Sequence, residues 1–386
     1  MTTKNHKISL FDRDLITVFL VSKILITSII LFAFYYFADE SFYNKVNRVY
    51  FNGLDSLLVP FSNWDGNHYL NLADNGYANS PIKRSWAFFP LFPLSISFVK
   101  YFIGNVYVSA FIVNTIFTYL FSFVFYSYCR HYLPKKAAIG ALILFFCFPS
   151  SFYLTVFYSE ALFLFLLFGF LYYYEVEKSY KSLVFIFLLP LCRGQAVFVL
   201  AGFFLILLIK WYKHEKIDFK FEKLNLLAFF SGIGAYLLFF YSTTGSAFSG
   251  IEAQKSFIFN NSVSRIFNVF NFFENLFSQT SGWFNYTKSL TDRLFIWASL
   301  LMIPLVFKTK NLMWIVLYLV LYYPVVSMGS GGSFIRFSLV FAPIISIVIF
   351  KFFEKRNKIP IYMIASMFLC IQVLLSYRFS LFLWVA

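Results

Sequence analysis

Between Phe61 and Pro93 the chain reads FSNWDGNHYLNLADNGYANSPIKRSWAFFPLFP. This stretch carries a carboxylate, an imidazole and a phenol at spacings that bring them together. Asn63 can open a helix and Asn75-Gly76 can close it. Within that helix Asp65, His68, Tyr69 and Leu72 fall at i, i+3, i+4 and i+7, on one face. A positioned carboxylate can accept a proton, and an imidazole beside it can orient it. Trp64 and Tyr69 suit a helix lying in a membrane interface. The run from Trp86 to Pro93 then returns the chain to the membrane, with Pro90 and Pro93 expected to break regular helix. A plain amphipathic surface helix with solvated polar residues has the same spacing, so spacing alone leaves both readings open. Asp74 falls on another face of the helix and reads as a solvated residue near its C-terminus.

Other ionisable residues stand out because their neighbours are apolar. Glu160 would be costly without a partner. It is expected to pair with Arg193, either as a structural ion pair or as part of a site. Arg193 and Arg336 each sit at the non-cytoplasmic end of an apolar run. An ionisable residue embedded there is a functional candidate, with snorkelling to headgroups as the plain alternative. Lys23, midway along the first apolar run, reads as a snorkelled or paired structural residue. Arg378 reads as a headgroup contact, and Lys83 and Arg84 as part of a flexible surface loop. The four cysteines, Cys129, Cys147, Cys192 and Cys370, form no CxxC pair. They read as buried small hydrophobes. No carboxylate cluster calls for a metal, although a divalent ion remains compatible with the pattern, and no cofactor is implied.

The elements that must hold these residues are membrane helices. Of 386 residues 60% are hydrophobic and 13% charged, and 58 are Phe; a soluble domain carries about 25% charged residues. Apolar runs at about 14–37, 105–128, 137–149, 154–174, 183–192, 195–209, 225–243, 292–307, 311–327, 335–350 and 360–385 predict an all-α polytopic protein, a single integral membrane domain over 1–386 with about eleven crossings. Pro190 and Arg193-Gly194 interrupt 183–209, giving two short helices or one broken one. The polar, basic first 13 residues precede a run too long for a signal peptide and without a small-residue cleavage site, so it reads as a retained span.

Charge placement orients the chain. Of 32 Lys and Arg, 19 fall on the side shared with the N-terminus, in short loops, and 10 on the other side. The positive-inside rule then makes the N-terminus cytoplasmic and puts the loops 38–104 and 244–291 on the opposite face. The net charge of +15 follows this loop pattern, with no basic patch on a soluble fold, so nucleic acid is not an expected partner. The cytoplasmic loops hold no P-loop and no dinucleotide fingerprint, so any chemistry is expected on the other face. Trp283 and Tyr286 in the second loop suit either stacking on sugar faces or the membrane interface.

Four blocks, in order, resemble the PIG-V family of mannosyltransferases. The first is WDGNHYLNLADNGY followed by AFFPLFP. The second is Phe148-Pro149-Ser150 with Phe157-Tyr158-Ser159-Glu160-Ala161-Leu162-Phe163. The third is Cys192-Arg193-Gly194, similar to an Arg-Ser-Asn-Gly turn but shorter, with Gln195 following. The fourth is SFIRFSLVFAP, Ser333 to Pro343, with Phe337 where the family has Tyr. The resemblance spans about 60–345 and implies a GT-C-type glycosyltransferase with its active-site loop on the outer face. Such enzymes take a sugar from a polyprenyl-phosphate carrier. In eukaryotic members the donor is dolichyl-phosphate-mannose and the acceptor a glycosylphosphatidylinositol (GPI) anchor precursor.

Transfer from a lipid phosphate needs a base for the acceptor hydroxyl, cations or hydrogen-bond donors for the departing phosphate, and a groove for the lipid. The resemblance makes Asp65 the expected catalytic base. The expected substrate-binding residues are His68, Tyr69, Glu160, Arg193 and Arg336, the two arginines through forked contacts to phosphate. The expected partners are the polyprenyl-phosphate-sugar donor, a glycolipid or envelope glycan acceptor, and membrane lipid. The expected setting is a plasma membrane in a prokaryote or the endoplasmic reticulum in a eukaryote. Two rivals stand beside this reading: a GT-C enzyme using another lipid-linked sugar, such as glucose or arabinose, and a non-enzymatic glycolipid transporter or flippase. A transporter built from repeats would show midplane polar groups on broken helices in both halves, and the 61–93 pattern occurs once.

Overall fold

The computed structural model describes residues 9–39, 57–255, 264–285, 289–328, 333–353 and 359–385. Parts of both predicted outer loops, 40–56, 256–263 and 286–288 with Tyr286, lie outside the described residues, as do 354–358 of a basic loop. Among the described residues the chain is helical throughout, with one isolated bridge, Gly282 to Ser289. Five helices are long and apolar enough to cross a membrane: Arg13–Phe37, Val106–Tyr132, Phe219–Thr244, Leu290–Lys308 and Ile359–Ser380. The other predicted spans fall on shorter helices of 11 to 17 residues, with 155–159 outside helix ahead of Glu160–Leu171 and 335–350 divided between Phe334–Ser338 and Ala342–Phe353.

Local chemistry sets the ends. Asp12 Oδ1 accepts from the amides of Asp14 and Leu15 at 3.0 and 3.2 Å and starts the first helix. Asn105 does the same for Val108 at 3.0 Å. Gly245, at φ 82°, ends Phe219–Thr244 in the left-handed region. The interruption at 183–209 resolves into two helices, Ser182–Cys192 and Ala196–Tyr212, with Pro190 retained inside the first.

Three expectations need correcting. The prolines of the Phe-Phe-Pro-Leu-Phe-Pro run were expected to break regular helix. Instead they precede and begin one, Leu91–Ile103, because Pro93 lies in the first turn, where a missing N–H costs nothing. Lys83 and Arg84 lie on a 3-10 turn, Lys83–Ala87. That turn is held by Trp86 Nε1 donating to Tyr77 O at 2.8 Å and by Gln254 Nε2 donating to Ala87 O at 2.9 Å. Cys370 is exposed and not buried.

The chain divides into two units. The first comprises 1–74, 92–182 and 349–383. In it Val106–Tyr132 packs against Glu160–Leu171, and Arg13–Phe37 packs against Ile359–Ser380. The second comprises 75–91, 183–348 and 384–386. In it Ala196–Tyr212 and Val269–Phe277 pack against Leu312–Met328, and Leu290–Lys308 meets the short helix Phe334–Ser338.

Within the second unit Gly232 lets Phe219–Thr244 approach Ser182–Cys192 closely. A Cβ there would lie 2.1 Å from the Phe187 carbonyl oxygen and 2.7 Å from Pro190 Cγ, the close approach that small residues permit between membrane helices. Gly232→Ala is therefore expected to lower the unfolding temperature in detergent, by the ~1–3 kcal/mol of an overpacked contact. Gly234→Ala, with nothing within 4 Å of its Cβ, should be neutral or slightly stabilising. Equal behaviour of the two would remove the close approach as the reason for the glycine.

The orientation is open to direct labelling. In a variant lacking the four native cysteines, cysteines at the exposed positions Asn79 and Thr280 should react with an impermeant maleimide on intact cells. One at Lys216 should react only after permeabilisation. The reverse pattern would invert the membrane orientation.

Candidate functional site

The turn that begins the Asp65–Asn75 helix is built from unusual backbone and fixed from outside. Trp64 adopts φ 57°, a left-handed conformation rare for a bulky residue. Its ring stacks on Phe382 with centroids 4.3 Å apart. Asn63 is fully buried. Its Nδ2 donates to the Phe379 and Ser380 carbonyls at 2.7 and 3.4 Å, at the C-terminal end of Ile359–Ser380. Carbonyls at a helix end have no intrahelical donors, so a buried amide there satisfies both sides. Asp65 follows as the first residue of the helix and is half-buried. The helix ends where Asn75-Gly76 predicts, with Gly76 at φ 74°.

The second sequence block closes on the first. Tyr158 Oη donates to the Asn63 carbonyl at 3.0 Å and accepts from the Asp65 amide at 3.2 Å. One hydroxyl thus holds both ends of the turn that presents the carboxylate. The Phe157 amide donates to the Phe61 carbonyl at 2.9 Å. The hydroxyls of Tyr69 and Ser159 are hydrogen-bonded at 2.7 Å. The Tyr158 ring also lies under the helix start, where a Cβ on Gly66 would meet Tyr158 Cε1 at 3.5 Å. Nothing in the spacing of either block alone reveals this junction. The signal lies in the polar residues Tyr158 and Ser159 set in an otherwise apolar run.

His68 is half-buried, one turn along from Asp65. Tyr69 is 4% exposed, its ring edge-on to Phe92 at 5.1 Å. Asp74 is exposed, and its carboxylate lies 2.6 Å from the Lys100 ammonium, a surface pair at the far end of the helix. Glu160 is buried in the first turn of Glu160–Leu171, where a helix N-terminus favours negative charge.

Arg193 and Arg336 belong to the second unit, and both are buried. Arg193 follows the end of Ser182–Cys192, and its Nε donates to Gln195 Oε1 at 2.7 Å. The residue that follows Gly194 therefore orients the guanidinium. Arg336 sits on Phe334–Ser338, with its guanidinium 5.9 Å from the Phe337 ring centre. The start of that helix is held by Asp292, whose Oδ1 accepts from the Ile335 amide at 3.1 Å. Sequence reasoning missed Asp292; an acidic residue in an apolar run beside Arg293 was its only trace. Arg293 is buried, and its Nη2 donates to Ser278 Oγ at 2.8 Å. Trp283 is exposed, while its carbonyl accepts from Ser289 Oγ and Thr291 Oγ1 at 2.8 and 2.9 Å. Among the described residues no three of His, Cys, Asp and Glu gather as metal ligands.

The helices make the chain an all-α integral membrane protein with buried polar groups at the ends of its spans. No family model matches it. Over 127 residues it is 30% identical to the GPI alpha-1,6-mannosyltransferase 2 of Rattus norvegicus, covering 30% of this chain and 25% of that protein. The Mus musculus protein of the same name gives the same figures. That of Cricetulus griseus is 29% identical over 140 residues, 33% of this chain and 28% of its own length. The chain thus spans about a quarter of the length of the curated relatives it matches.

Proposed function

We propose that the chain is a glycosyltransferase that moves a sugar, mannose first among candidates, from a polyprenyl-phosphate carrier to a glycolipid or envelope glycan on the non-cytoplasmic face. The observation that carries the reading is the half-buried Asp65 at the start of its helix, on a turn fixed by Tyr158. The order of the four blocks and the name of the mammalian relatives support it.

In this reading Asp65 takes the proton of the acceptor hydroxyl. The hydroxyl oxygen attacks the anomeric carbon, the bond from that carbon to the phosphate oxygen breaks, and the lipid phosphate leaves with the electron pair. A single displacement inverts a β-linked donor to an α-glycoside. Arg193 and Arg336 are the phosphate partners, and His68 orients Asp65 or meets the phosphate. Tyr69, with its hydroxyl bonded to Ser159, braces the helix.

The test incubates membranes bearing the protein with radiolabelled polyprenyl-phosphate mannose, glucose and arabinose. Transfer of mannose to lipid-extractable or envelope material is the expected result. Transfer of another sugar would change the donor, and none from any of the three would end the reading. Arg193→Ala and Arg336→Ala should each weaken donor use about 10- to 100-fold, from loss of charge-assisted hydrogen bonds worth ~1.5–3 kcal/mol. Lys at either position should rescue only in part, since an ammonium has no fork. Full activity in both alanine variants would remove the arginines from the phosphate.

A further inference from the structure

We propose that Lys23, a lysine midway along the first membrane helix, positions Asp65 through Asn114 and the backbone of residues 154–158. Its catalytic meaning rests on the function proposed above; the structural coupling does not.

Lys23 is 8% exposed. Its Nζ donates to Asn114 Oδ1 at 2.8 Å and to the Leu154 carbonyl at 3.2 Å, and lies 5.6 Å from the centre of the Phe111 ring. Among the described residues it makes no ion pair. The amine is anchored inside the protein and does not snorkel. As a device for stability alone this is a poor choice, because an apolar side chain of the same length would avoid the desolvation cost.

What the amine holds is a stretch of backbone between two helical elements. The 3-10 turn Pro149–Leu154 ends there, and Glu160–Leu171 has not yet begun. Carbonyls in such a stretch need donors from elsewhere. Leu154 O receives Lys23 Nζ and Thr118 Oγ1, the latter at 2.8 Å. Val156 O receives Asn114 Nδ2 at 2.8 Å and the amide of Tyr158 at 2.8 Å. Asn114 thus carries the chain of bonds from the lysine to the carbonyl that sets the Tyr158 backbone. Tyr158 Oη in turn holds Asn63 and Asp65. Five linked hydrogen bonds therefore run from Lys23 through Asn114, Val156 and Tyr158 to Asp65 and Asn63. Linked bonds in a dry interior support one another.

The test uses the full chain in detergent, with Lys23→Met, Lys23→Gln, Thr118→Val, Tyr158→Phe and the Lys23→Met/Tyr158→Phe pair. The first readout is hydrogen exchange of the Asp65 amide, measured against amides of Val106–Tyr132 as a control for global opening. Lys23→Met should speed exchange at Asp65 about tenfold relative to that control, and Lys23→Gln, which keeps a donor, should restore part of the protection. Thr118→Val removes one donor to Leu154 and supplies the same comparison, with a smaller increase, if Lys23→Met does not fold.

The second readout is sugar transfer. Lys23→Met should lower kcat about tenfold with the donor KM within about twofold, and adding Tyr158→Phe should change little more, as expected for residues in one network. Unchanged Asp65 exchange in folded Lys23→Met and Thr118→Val would overturn the proposal, as would kcat losses that simply multiply in the double variant. If the wild type transfers no sugar, the function fails and exchange alone decides the coupling.

Discussion

Asp65→Asn should lower sugar transfer by about 10²–10⁴-fold, the range lost with a general base, while binding of the lipid donor persists. The substitution keeps the size of the side chain and leaves the amide that donates to Tyr158 in place. The turn should therefore stand, and what is removed is basicity. Donor binding survives because the carboxylate acts on the acceptor hydroxyl and not on the phosphate. Asp74→Asn provides the comparison. It loses an exposed pair with Lys100, worth ~0–1 kcal/mol, and turnover should stay near wild type. The unfolding temperature of both variants belongs in the same experiment. A well-folded Asp65→Asn protein with near wild-type transfer would move the base elsewhere, first to the buried Glu160.

Asp292→Ala should be among the most destabilising single changes in the second unit. Its carboxylate accepts from the Ile335 amide at 3.1 Å in the first turn of Phe334–Ser338, and it is 8% exposed. Removing it leaves a buried amide donor unsatisfied, and a loss of ~1–3 kcal/mol is expected. Asp292→Asn keeps one acceptor oxygen and should lose less. The same helix carries Arg336, so the alanine variant should also use donor poorly even where it folds. An alanine variant with wild-type thermal stability would show that water or backbone rearrangement replaces the carboxylate.

Helical periodicity and caps carried most of the fold into view. The Asp65–Asn75 helix starts two residues after Asn63, which was expected to open it, and ends where Asn75-Gly76 predicts, and the interrupted run 183–209 divides at Arg193-Gly194-Gln195. Pro90 and Pro93 misled because a proline's effect depends on its position in a helix: in the first turn it initiates, in the interior it breaks. The candidate residues were visible singly and their supports were not. Asn63, Tyr158 and Lys23 act on groups 316, 93 and 91 positions or more away, a distance over which local periodicity carries no information. Asp292 was hidden for the same reason, 43 positions from Ile335.

The tether from Asn63 to the end of the Ile359–Ser380 helix has a consequence for biosynthesis. The Asn63 amide and the Phe379 carbonyl are 316 residues apart. At translation rates of about 5–20 residues per second, the partner emerges roughly 16–60 s after the first loop. Within that interval the turn bearing Asp65 gains Tyr158 once residue 158 is made, 95 residues after Asn63, but has neither the Phe379 carbonyl nor the Phe382 ring. A ribosome halted before the last span would leave a nascent chain already threaded into the membrane with an unfinished site.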